Sequence, residues 1–93
     1  MLWVLVGEGA NALEIPALVW TDKEVALNKC KELLGEKFKE RENNGKVSYR
    51  WNGLSDEAIK NIYTHYYDGC GGCDAVTLQS IEEGTPFVGW DLD

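Results

Sequence analysis

The sequence predicts an α+β domain: one largely antiparallel sheet of about four to five strands, with two helices packed on one face. Three observations point there. Short apolar or alternating runs rich in β-branched and aromatic residues lie near both ends of the chain and at its middle. Two segments between them carry apolar residues at spacings of three and four, the period of a helix. Turn residues separate these segments, giving the order β-β-α-β-α-β-β. At 93 residues the chain makes a single globular domain over residues 1–93, with a modest core.

The first strand is the apolar run Leu2-Trp3-Val4-Leu5-Val6, which lacks alternation and so suits a position covered on both faces. Gly7-Glu8-Gly9-Ala10-Asn11 turns the chain, and Leu13 to Trp20 pairs back as a second strand. Pro16 has no N–H for the ladder and places that strand at an edge or a bulge. A helix follows. Thr21 and Glu24 have the spacing of a capping box, with Trp20 and Val25 as its hydrophobic staple. Val25, Ala26, Leu27, Cys30, Leu33, Leu34 and Phe38 form one apolar face. Asn43-Asn44-Gly45 closes the helix with a residue suited to the left-handed conformation.

Val47-Ser48-Tyr49-Arg50-Trp51 alternates, which puts Val47, Tyr49 and Trp51 on one face of a strand. Asn52-Gly53 turns, and Ser55 caps a second helix whose first turn carries Asp56 and Glu57. Leu54 and Ile59 form its staple, and Ala58, Ile59, Ile62, Tyr63 and Tyr66 its buried stripe, with Gly69 as the stop. Ala75 to Ile81 alternates as a strand, Glu82-Glu83-Gly84-Thr85 turns, and Pro86 to Trp90 returns as the last strand.

Composition excludes several function classes. The formal net charge is −7, from 16 acidic and 9 basic residues, which repels phosphates and anionic lipid. Direct nucleic-acid and membrane binding are therefore not expected, and no apolar run approaches the roughly 20 residues of a membrane span. Three cysteines, an odd number, fit the cytoplasm better than a secreted disulfide framework. The charge is also unevenly placed. Every Lys and Arg lies between Lys23 and Lys60, whereas Asp68, Asp74, Glu82, Glu83, Asp91 and Asp93 come later with no base among them.

The local constellation closest to chemistry is Cys70-Gly71-Gly72-Cys73, preceded by the only histidine, His65. A reactive dithiol wants a helix N-terminus and cationic neighbours. Cys70 instead follows a predicted helix C-terminus and stands between Asp68 and Asp74, which favours the neutral thiol. Zinc is the stronger chemical reading: Cys70, Cys73 and His65 supply three ligands, with Asp68 or Asp74 as a fourth, within one chain or shared in a homodimer. The bland reading is a tight helix-to-strand turn in which glycine supplies positive φ, and it outweighs the others. Cys30 falls in an apolar helical stripe and reads as a small hydrophobe.

No enzyme is expected. Gly7-Glu8-Gly9 lacks the remaining glycines, the lysine and the helix start of a phosphate-binding loop. Neither Glu82-Glu83 nor Asp91-Leu92-Asp93 has the spacing of a calcium loop. The function expected is a protein-binding module or inhibitor that docks its acidic C-terminal surface onto a basic partner, such as a nuclease or other nucleic-acid-binding protein, in place of phosphates. Its binding residues are Asp68, Asp74, Glu82, Glu83, Trp90, Asp91 and Asp93, and no cofactor is needed. Size and charge of this kind suit a phage-type inhibitor of a host nuclease. The alternative is a small zinc-binding domain that uses Cys70 and Cys73 for folding or dimerisation.

Overall fold

The computed structural model describes residues 1–8, 17–62 and 75–86. The strands are β1 (Leu2–Glu8), β2 (Leu18–Trp20), β3 (Lys39–Asn43), β4 (Lys46–Asn52) and β5 (Ala75–Ile81); the helices are α1 (Lys23–Leu34) and α2 (Asp56–Ile62). All strand pairs are antiparallel, in the five-stranded order β2-β1-β5-β4-β3. The predicted α+β class is the observed one. The elements follow the predicted order, with β3 as one further strand; Leu13 to Pro16 of the predicted second strand, Tyr63, Tyr66 and Gly69 of the predicted second helix, and the predicted last strand from Phe87 on lie outside the described residues.

Side-chain alternation sorts the sheet into two faces. Trp3 and Leu5 of β1, Tyr49 and Trp51 of β4, and Val76 and Leu78 of β5 join Ala26, Leu27 and Cys30 of α1 and Ile59 and Ile62 of α2 in one buried cluster. Both helices thus cover the same face. Leu5, Cys30, Val76 and Leu78 are completely inaccessible, which marks the centre of the core.

Helix α1 starts one residue later than the capping-box spacing predicts. Trp20 still belongs to β2, opposite Trp3, so Thr21 is used to leave the sheet. Asp22 then takes the extended cap conformation, and its Oδ1 accepts from the Val25 N–H at 3.0 Å. A carboxylate suits that place better than a hydroxyl, because its charge also meets the positive end of the helix dipole. The shift moves Trp20 and Val25 out of staple register, and Val25 is 56% exposed. Ser55 caps α2 as its position predicts: Ser55 Oγ accepts from the Ala58 N–H at 3.2 Å.

The helix also ends early, at Leu34 rather than at Asn43-Asn44-Gly45. Gly35 takes φ +95°, a conformation costly for any residue with a Cβ, and its N–H bonds to the Lys31 carbonyl at 2.8 Å. Its own carbonyl accepts from the Trp51 indole Nε1 at 2.9 Å, which fixes the helix end to β4. The chain then turns back as β3, and Asn44 (φ 53°) and Gly45 (φ 78°) form the two-residue hairpin to β4. Positive φ at both positions is what a hairpin turn matching the twist of its strands demands, and Asn-Gly supplies it. Phe38 still reaches the core, but from the loop after α1, with its ring 5.2 Å from those of Tyr49 and Trp51.

Substitutions at the helix start and in the core are tested by urea denaturation. Asp22→Ala is expected to cost about 1 kcal/mol, while Thr21→Ala leaves the midpoint nearly unchanged. Leu78→Ala, at the sheet centre, is expected to cost about 2–5 kcal/mol. Equal effects at Thr21 and Asp22 would remove the basis for the later helix start.

Candidate functional site

Of the residues expected to bind a partner, Glu82 and Glu83 are described, and both are exposed. They follow β5 directly in a turn closed by the Thr85 N–H donating to the Glu82 carbonyl at 3.1 Å, with Gly84 at φ +80°. Because Leu2 pairs with Ile81, this turn lies at the sheet end where β1 begins, beside Met1, which is 64% exposed. The turn therefore holds two carboxylates in water next to an exposed apolar side chain. Asp68, Asp74, Trp90, Asp91 and Asp93 lie outside the described residues, as do Cys70, Cys73 and His65. Among the described residues, no group of three or more His, Cys, Asp or Glu side chains is placed to hold a metal ion.

Electrostatics over the whole chain are lopsided. Residues up to Lys60 include ten acids and nine bases, so almost all of the net charge of −7 resides in the segment from Asn61 to Asp93. The one described cysteine, Cys30, is inaccessible inside the core, and burial pushes its thiol up to about 12. That agrees with its reading as a small hydrophobe and makes it a poor nucleophile or metal ligand.

Two polar features escape sequence reasoning. On the face opposite the helices, Arg50 Nε donates to Glu8 Oε2 at 2.8 Å, linking β4 to β1 across the intervening β5. Thr77, 5% exposed, and Gln79 lie on that same face, and Thr77 Oγ1 and Gln79 Nε2 have no hydrogen-bond partner among the described residues. The faces could be read from alternation, but the strand order that joins Glu8 to Arg50 could not. On the helix face, the Lys23 ammonium sits 5.7 Å from the ring centres of both Trp3 and Tyr49. A side-chain hydrogen bond with Tyr49, followed by charge interaction with it, lifts the Lys23 pKa above its ordinary value. Lys23 thereby clamps the start of α1 over the sheet through cation–π contact.

Set beside models of known families, curated proteins and solved structures, the chain matches none of them. Among the described residues, no helix is long and apolar enough to cross a membrane.

The thiol chemistry gives a direct check. In a Cys70→Ser/Cys73→Ser variant, Cys30 is expected to stay unreactive toward a disulfide reagent at pH 8 and to react fully once denaturant is added. Rapid reaction in the native state would mean that α1 opens readily from the sheet.

Proposed function

We propose that the protein is a non-enzymatic binding module that docks the acidic C-terminal third of its chain onto a basic protein partner. The observation that carries this reading is charge placement: six acids and no base come after Lys60, beyond a segment in which charges nearly cancel. Carboxylates gathered this way raise the encounter rate with a cationic surface and select against anionic partners. A nuclease or another nucleic-acid-binding protein is the partner class that fits best, because its cationic groove already accepts a row of negative charges. The exposed Glu82–Glu83 turn supports the reading, since its carboxylates lie in solvent and need not be stripped from a partner inside the fold. Binding is preferred to catalysis because no motif in the sequence joins His65 and Cys70 or Cys73 to an orienting third group, and none has the form of a phosphate cradle.

A second reading rests on Cys70-Gly71-Gly72-Cys73. A zinc ion held there, with His65 as a further ligand, would add folding free energy directly. Elemental analysis decides between the two. Under the docking reading, purified protein carries no stoichiometric zinc and a chelator leaves its melting temperature unchanged. One zinc per chain or per dimer, with unfolding on chelation, supports the metal reading instead.

Docking is tested by association kinetics, once a partner has been captured from host extract. Raising salt is expected to slow association, because exposed charges are screened beyond a Debye length of about 8 Å at physiological ionic strength. Neutralising Glu82, Glu83, Asp91 and Asp93 together should slow association more than dissociation and leave the fold intact. Association rates that match wild type at both low and high salt would reduce the acidic third to a solubilising surface.

A further inference from the structure

A cleft of about 600 Å³ opens between β2, α1 and the end of α2. Leu18 and Trp20 of β2, Val25 and Leu33 of α1, and Ile62 of α2 form its apolar wall. Three separate elements therefore meet there, and the space between them lies within the roughly 300–1,000 Å³ of small-molecule sites. Trp20 is only half-buried, so part of its indole remains available to a ligand in the cleft.

The rim tells which ligand chemistry fits. Asn28 and Asn61, both exposed, bring carboxamides that donate and accept hydrogen bonds without charge. The two charged side chains at the cleft, Lys29 and Glu32, are one helical turn apart and oppose each other at 3.8 Å. They cancel, so the described rim carries no net charge. A carboxylate or phosphate ligand would meet Glu32 as soon as it met Lys29, and a cation would meet the reverse.

We infer that this cleft is a binding site for an uncharged small molecule with an aromatic or aliphatic body and one hydrogen-bonding end. The body packs on Trp20, Leu33 and Ile62, and the polar end reaches the Asn28 and Asn61 carboxamides. The site is formed by other residues than the acidic third, and the two readings stand or fall separately.

The test uses the full chain and N-phenyl-1-naphthylamine, an uncharged probe whose emission rises in apolar surroundings. Its sulfonated relative, 1-anilinonaphthalene-8-sulfonate, is titrated in parallel. The expected result is saturable single-site binding of the neutral probe and weaker binding of the anion. Val25→Arg, at a position that is 56% exposed, places a long side chain over the cleft without disturbing the core. It should lower affinity for the neutral probe by about tenfold or more, at an unchanged melting temperature. Asn28→Trp fills the cleft from another point on the same helix and should do the same, so the test survives if one variant folds poorly. A wild-type protein that gives no saturable signal overturns the proposal. So does neutral-probe affinity that is unchanged in a folded variant, or a preference for the anionic probe.

Discussion

The structure depends on the pairing of β5 with two neighbours at once. It is the last of the described strands along the chain and the middle one in the sheet, bonded to β1 on one side and to β4 on the other. Without it, β1–β2 and β3–β4 are two strand pairs with no backbone ladder between them. With it, Leu5, Leu78 and Tyr49 fall in one row beneath the helices, since Leu78 is opposite both of the others. Strand hydrogen bonds and helix packing thus reinforce each other at the same residues. The Lys23 ammonium, facing Trp3 of β1 and Tyr49 of β4, extends that link above the sheet.

Segments whose patterning had a single explanation were legible in the sequence. Ala75 to Ile81 and the alternation around Tyr49 and Trp51 could be placed because β-branched and aromatic residues in period two suit little else. The stretch after Leu34 was different. Glu36, Lys37, Lys39, Glu40, Arg41 and Glu42 are residues that an exposed helix favours, and Phe38 falls in phase with the apolar stripe. Local preference therefore pointed to helix, while Gly35 and the Asn44-Gly45 turn pointed to a stop and a hairpin. The turn prevailed because β3 gains a full ladder with β4, and the Trp51 indole holds the Gly35 carbonyl where the helix ends. The cap at Asp22 was missed for a related reason: the end of β2 is set by pairing with β1, and a capping box carries no information about that.

The candidate interface was legible chiefly as charge, which needs no fold to be counted. Geometry adds that Glu82 and Glu83 leave the sheet from its central strand, so their position is fixed by the best-paired element in the molecule. It also removes Cys30 from the candidates, since an inaccessible thiol in the helix layer has no access to external chemistry. The Glu8–Arg50 pair and the buried Thr77 belong to a different class. They come from residues distant in sequence and depend on strand order, which no local pattern encodes.

The β3 side of the described sheet has a consequence for self-association. β3 reads Lys39-Glu40-Arg41-Glu42, and its register with β4 puts Lys39 and Arg41 on the face away from the helices and Glu40 and Glu42 on the face toward them. Suppose a second copy added its own β3 here, antiparallel, with its helices on the same side. Residues of equal parity would then oppose one another, base against base and acid against acid, in every allowed register. Like charges directly opposite across strands are destabilising. Among the described strands β3 is the last in the sheet order, and a strand edge is ordinarily a template for further strands, but the alternating signs along this one make its own copy a poor continuation. Charge order along β3 thus works against β3-to-β3 pairing of two copies with neither a proline nor a bulge in that strand.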